Sequence, residues 1–322
     1  MKRYLLSETG FFYKADLHSH TTISDGKQTP EEMKRSYMEL GYSVIAYTDH
    51  EKLADHSDLC DENFVALNAV EVGVFQPKET LPCAKHCHLC FIALKQDKYE
   101  RFWCDADKKE EGMIPRVYDA ETVNALIEKG KSLGYFVTYN HPGWSMENYN
   151  DYMNYHGMHS MEIINWTGAR QGYLDHAPHV YDDMLRGGKR IFCIATDDNH
   201  KVPDTSSFKN ACGAFTMIKA ERLEYNAITD ALLAGNFYAS QAPEIYELWY
   251  EDGRVHIKTS AAHRIFLSTG RRRCGYHGAN DDGTVEEATF EVFPEDIYFR
   301  ITVTDKRGRF AHTNAYFLDV IS

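Results

Sequence analysis

From about residue 11 to 240, short apolar runs alternate with stretches of helical period. The runs Tyr13–His18, Ser43–Thr48, Phe64–Val72, His88–Leu94, Tyr135–Asn140, Met161–Asn165, Ile191–Thr196 and Cys212–Ile218 are short enough and apolar enough to be buried strands. The first helix between them is well marked. Thr29 stands as N-cap, Pro30 opens the first turn and Glu32 completes a capping box. Met33, Tyr37 and Leu40 then share one face, and Gly41 ends it. Val123, Leu126, Ile127 and Leu133 mark a second helix closed by Gly134, and Glu224–Leu233 a third. Strands alternating with helices predict an α/β fold with a mostly parallel sheet and helices outside it, as a barrel or a doubly wound layer.

After about residue 241 the pattern changes. Glu251-Asp252-Gly253-Arg254 is a tight-hairpin signal between IYELWY and VHIKTS. Ile297, Phe299, Ile301 and Val303 alternate with Tyr298, Arg300, Thr302 and Thr304, a period of two, and no helical period follows. We therefore read a first domain over residues 1–240, expected to fold alone, and a small antiparallel β-sandwich-like accessory domain over 241–322. The linker falls at Ser240–Glu244, and Gln96–Gly112 reads as a solvated loop.

Charge narrows the function classes. With 322 residues the chain can bury a large core without disulfides, and its net charge of -13 opposes any extended nucleic-acid or membrane surface. It does not oppose a small anionic substrate, because bound cations can make an acidic protein locally positive. No segment approaches the roughly 20 apolar residues of a membrane span, and the start lacks a sustained apolar stretch. The eight cysteines read as free thiols in a reducing compartment, so a soluble cytoplasmic protein is expected.

Candidate chemistry gathers at the strand ends. His18 and His20 are two apart, so an extended strand points both to one face. Asp25 follows in a polar turn, His50 ends the second strand and Glu71 closes the run FVALNAVE. His88 opens a strand, His141 precedes Pro142, and Asp198 and His200 close the run IFCIAT. Six imidazoles and three carboxylates form a ligand set for divalent transition metals such as Zn, Mn or Fe. Three such cations would leave net positive charge suited to a phosphate.

Taken in order, these motifs resemble the PHP (polymerase and histidinol phosphatase) family of metal-dependent phosphoesterases. The opening H-x-H is His18-Ser19-His20, followed by Asp25-Gly26, Thr48-Asp49-His50, Glu71, His88-Leu89-Cys90, Asn140-His141-Pro142 and Asp198-Asn199-His200. The resemblance covers roughly residues 11–240, and the tail resembles that of members with an appended sandwich domain. It implies a distorted (β/α)7 barrel that holds two or three divalent ions through His18, His20, Asp25, His50, Glu71, His88, His141, Asp198 and His200. It implies hydrolysis of a small phosphorylated substrate by a metal-bridging hydroxide. Histidinol-phosphate phosphatase, or a catalytically silent metal-binding regulatory module, would use the same frame. Substrate identity, general acid and oligomeric state stay open.

Other residues have plainer readings. Alternation sends Asp197 and Asp198 to opposite sides, and Asp198 is the ligand candidate; of His86 and His88, the strand match favours His88. Asp16 reads as a strand-end hydrogen-bonder, and Asp49 as structural or as orienting a ligand. Cys87 and Cys90 lie three apart on a strand and face opposite ways, so with Cys83 they read as buried thiols, not a zinc knuckle. Arg170 and Lys201 are phosphate-binding candidates, each equally readable as a solvated charge. His156, His159, His176 and His179, and the run Arg271–Arg273, read as surface.

Overall fold

The computed structural model describes residues 2–77, 84–97, 100–105, 108–201, 212–279 and 283–321; Cys83 and parts of the 96–112 loop lie outside them. The strands of the first part are β1 (Arg3–Tyr4), β2 (Phe11–Ser19), β3 (Val44–Tyr47), β4 (Val65–Phe75), β5 (His86–Ala93), β6 (Tyr135–Tyr139), β7 (Ser160–Asn165), β8 (Phe192–Thr196), β9 (Phe215–Ala220) and β10 (Phe237–Ser240). The helices among them are α1 (Pro30–Glu39), α2 (Ala120–Ser132), α3 (Tyr149–Tyr152), α4 (Trp166–Arg170), α5 (Pro178–Arg186) and α6 (Tyr225–Leu233). The eight expected strands and three expected helices all form, and the capping box Thr29–Glu32 is closed on both sides.

The architecture is mixed α/β around one large sheet in which β9 and β2 to β8 lie side by side in that order. A parallel bridge, Ser19 to Asn199, brings the end of β8 back against the end of β2. The expectation of a mostly parallel sheet needs two corrections, the first being that β9 runs antiparallel to β2. β2, β3 and β4 are parallel, and so are β6, β7 and β8, but β5 runs antiparallel to both its neighbours. This inversion matters for the site. The start of β5, which carries His88, lies where the other strands end.

Period-two alternation divides the side chains between two environments. On β5, Cys87, Leu89 and Phe91 face a core shared with α2 and α5, while Ile92 faces a second core with Leu17, Leu67, Ala69 and Ile194. That second core is the apolar floor beneath the polar residues of the strand ends. Leu232 and Ile228 of α6 pack into it. A register shift between Asp16 and Ser19 in the β2–β3 pairing lets Leu17 belong to the floor while His18 and His20 join the polar layer above.

The tail adds β11 (Ile245–Glu251), β12 (Arg254–Ala262), β13 (Arg264–Thr269), β14 (Cys274–Gly278), β15 (Val285–Glu291), β16 (Tyr298–Thr304), β17 (Phe310–Thr313), β18 (Tyr316–Phe317) and a short helix α7 (Leu318–Ile321). Asp252 and Gly253 take φ values of 47° and 76°, the left-handed pair that a two-residue hairpin requires. β1, β11, β12 and β15 form one sheet. Its inward residues Leu248, Val255 and Ile257 share a core with Ile265, Phe299, Ile301 and Val303.

The hydrogen-bonded sheet does not stop at residue 240. β10 pairs with β9 on one side and with β17 on the other. The second face of β16 is covered as well: Arg300 donates to Asp182 of α5 through Nε (2.7 Å) and Nη2 (2.8 Å). Ile297 does not continue the apolar face. It sits at φ 65° before the strand and is exposed. Of the arginine run read as surface, Arg273 is half-buried and bound to Asp296.

Candidate metal centre

Nine residues from seven chain segments converge above the apolar floor. The centre is Glu71, wholly buried on β4. Its Oε1 lies 2.9 Å from His88 Nδ1, 3.1 Å from His141 Nε2 and 3.3 Å from His18 Nε2. Its Oε2 lies 3.0 Å from His50 Nδ1 and 3.4 Å from His20 Nε2. One carboxylate therefore faces five imidazoles, divided between its two oxygens.

Asp198 closes the other side, with Oδ1 3.2 Å from His20 Nε2, 3.4 Å from His18 Nε2 and 3.6 Å from His200 Nδ1. Asp25 lies 3.5 Å from His200 Nε2, 3.9 Å from His50 Nε2 and 4.0 Å from His20 Nδ1. The rings themselves stack: His20 centroids lie 4.2 Å from His50 and 4.1 Å from His200. Among the described residues five overlapping ligand groups result; three consist of the nine residues alone, His20–Asp25–His50–His200, His18–His20–Asp198 and His50–Glu71–His88.

Local structure explains this convergence. Asp49 receives hydrogen bonds from the backbone and hydroxyl of both Thr21 and Ser24, so it ties down the loop between His20 and Asp25. Gly26 must be glycine there, because a Cβ would lie 2.1 Å from the His20 carbonyl oxygen. Asp198 adopts φ 50° and His141 φ 21°, strained conformations for residues with side chains. The first is held by the bond from Asp198 N to the His18 carbonyl, the second by the bond from His141 N to Glu162.

Electrostatics set the site apart. Burial opposes charge on His20, but the nearby carboxylates of Asp198 and Glu71 outweigh that and raise its pKa to about 9. His141 is likewise raised to about 9 against burial, through Glu71. Burial dominates at His88 and takes it down to about 4. Glu71 and Asp198 are also opposed by burial, yet the surrounding imidazoles hold both carboxyls well below the usual range.

The residues fit divalent cations on two observations. His88 Nε2, Glu71 Oε2 and Asp198 Oδ1 are buried with no hydrogen-bond partner, a costly state unless a cation takes the lone pairs. The donors are neutral-capable imidazoles and carboxylates, the set that Zn, Mn and Fe accept.

A pocket of ≈ 550 Å³ opens over the cluster. Arg170 and Lys201 both line it, as do Asp25, Glu71, Asp198 and His200. His86 lies at its wall, with its ring centroid 6.0 Å from that of His88. His156, His159, His176 and His179 do not line it, and two of them are not surface residues: Val137 N donates to His159, and His176 Nε2 lies 3.0 Å from His312 Nε2. Cys87 faces away into the outer core as expected. Asp16 accepts from the backbone of His18 and Asp197, and Asp197 in turn holds Tyr37 and the backbone of Cys212.

Sequence reasoning missed four residues. Glu162 Oε1 lies 2.7 Å from His18 Nδ1 and accepts from Thr196, while Oε2 accepts from His141 N. A lone glutamate inside the apolar run MEIIN was its signal. Cys90, two residues after His88 and so on the same face, brings its Sγ into the His18–Glu71 group. Arg116 and Trp144 line the pocket from loops that carry no periodicity.

No protein-family model matches the chain. It is 45% identical over 49 residues to the 5'-3' exoribonuclease Rnm of Salmonella typhimurium, a match spanning 15% of this chain and 17% of that protein. Among solved structures it is similar to a two-domain protein containing a predicted PHP-like metal-dependent phosphoesterase from Bacteroides vulgatus. That likeness has TM-score 0.46 and 15% identity and covers 98% of this chain and 89% of the other. An amidohydrolase from Chromobacterium violaceum is similar with TM-score 0.42 and 14% identity, over 61% of this chain and 90% of the other.

Proposed function

We propose that this chain is a metal-dependent phosphoesterase of the PHP type, hydrolysing a small phosphate ester at a cluster of two or three divalent cations. In this reading β2 to β8 form a distorted seven-stranded barrel, and residues 241–322 supply most of an appended sandwich. The observation that carries the reading is Glu71: one buried carboxylate whose two oxygens face five imidazoles. The orphaned atoms among these lone-pair donors support cations at this point.

The chain's own residues divide the work. His18, His20, Asp198 and Glu71 would hold the buried part of the cluster, and His50, His88, His141, Asp25 and His200 its remaining positions. Glu162, bonded to Nδ1 of His18, would fix that ring so that Nε2 stays a donor to metal. Bound cations would supply an activated water and neutralise charge on the phosphoryl oxygens. Arg170 and Lys201, on the pocket wall, would hold the phosphate's outer oxygens.

Metal content and turnover test this together. Protein stripped by chelation and reloaded with Zn, Mn or Fe is expected to bind two to three equivalents and to hydrolyse 4-nitrophenyl phosphate. Fewer than one equivalent bound would sink the cluster. Full loading with no turnover of phosphomonoesters or diesters would sink the hydrolase.

A further inference from the structure

One side of the pocket is aromatic, and the reading above gives it no task. Phe75 ends β4, His86 begins β5, and Trp144 follows His141. All three line the pocket. The Phe75 ring stands edge-on to His86 at 4.9 Å and to His88 at 5.7 Å between centroids. Trp144 lies 5.5 Å from His86, 5.3 Å from His88 and 5.1 Å from His141. The wall therefore touches two residues of the cluster directly.

Its placement depends on a missing side chain. A Cβ on Gly73 would lie 2.5 Å from Phe75 Cζ and 3.1 Å from His88 Nε2. Only glycine lets the Phe75 ring fold back along its own strand to stand beside His88. Arg116 then braces it: its guanidinium carbon sits 5.9 Å from the Phe75 centroid, while Nη1 is held by Glu51 and by the Gly73 carbonyl at 2.9 Å. Phe75 nevertheless keeps 41% of its surface open. An apolar ring left that exposed beside a polar cluster is fixed in place rather than buried.

We propose that this wall selects phosphate esters whose leaving group carries a flat aromatic ring; the inference rests on the phosphoesterase reading of the same site. The cationic side chains Arg170 and Lys201 and the aromatic wall line one pocket. Its ≈ 550 Å³ exceeds what a phosphate group fills, so a leaving group must share it. A flat ring gains from offset or edge contact with Phe75 and Trp144, whereas a saturated ring of equal size gains only burial. Stacking of this kind corresponds to a preference of about tenfold.

Calorimetric titration of phenylphosphonate and cyclohexylphosphonate into the metal-loaded full-length protein tests this, since neither compound has a bond for hydrolysis to break. Phenylphosphonate is expected to bind about tenfold tighter. Phe75→Leu and Trp144→Leu are each expected to shrink the difference while metal content stays at the wild-type level. Equal affinities in the wild type would overturn the inference, as would a preference that survives both substitutions. Hydrolysis of 4-nitrophenyl phosphate, read on the same samples, separates the two readings. Turnover without a phenyl preference overturns the aromatic wall alone, and a phenyl preference without turnover of this monoester or of bis(4-nitrophenyl) phosphate overturns the hydrolase.

Discussion

Glu162 Oε1 lies 2.7 Å from Nδ1 of His18, on the opposite side of the ring from the Nε2 that faces Glu71 and Asp198. The carboxylate is buried, and its other oxygen accepts from His141 N and Asn165 Nδ2. Two ligand segments are thus oriented by one side chain that need not itself touch a metal. Glu162→Gln is expected to keep the fold and lower metal affinity by about 10- to 100-fold. Competition with a chelator of known affinity measures this. Unchanged affinity would show that His18 is oriented without Glu162.

His20→Ala and Asp198→Ala should each lower phosphatase activity at matched metal by at least about 100-fold, because losing either ligand displaces the reacting groups. The two residues lie far apart in sequence and 3.2 Å apart in space. Cys87→Ala should retain activity, since its thiol packs in the outer core. Loss of activity in Cys87→Ala equal to that of His20→Ala would refute the assignment of faces on β5.

Glu147 provides a pH dependence outside the site. Tyr118, Tyr139 and Tyr155 all donate to its carboxylate, at 2.9, 2.7 and 2.5 Å. Burial raises its pKa from 4.5 to about 7 despite these bonds. A folded-state pKa above the unfolded one means the fold binds the proton more tightly. The associated stability is full below about 4.5 and is lost as pH rises through 7. The total is about 3 kcal/mol. Glu147→Gln should therefore gain on the wild type by up to that amount between pH 4.5 and 7.5. Urea unfolding of both proteins across this window reads the difference, and a difference that does not change with pH would refute the shifted carboxyl.

Residues 1–240 were expected to fold alone, and the strand pairing argues for a weaker fragment. Ending the chain at Ser240 would remove the β17 partner of β10 and leave Asp182 without Arg300. An open edge and an uncovered apolar face promote association. The fragment is expected to lose soluble yield and to unfold at lower temperature than the full chain. A fragment as soluble and stable as the whole protein would show that the tail adds nothing to the first core.

Much of this was legible in the residues themselves. Short apolar runs placed the strands of the first part, since burial on both faces leaves a continuous apolar record, and burial of one face left a period of two in the tail. The i, i+2 spacing put His18 and His20 on one side for the same reason, and the Asp252-Gly253 turn was fixed by its need for positive φ. Ligand-type side chains at or beside the ends of apolar runs marked the candidates, and the ordered resemblance to the PHP motifs named the nine. What the sequence could not supply was anything set by contacts between distant segments. The reversal of β5, the union of β10 with β17 and the ion pair from Arg300 to Asp182 depend on which edges meet in space. Glu162 and Cys90 had the right alternation, but only the convergence of strands gave them His18 as a neighbour. The aromatic wall was beyond reach for the same reason: Phe75, Arg116 and Trp144 follow no shared period, and what unites them is a cavity that exists only once the strands have packed.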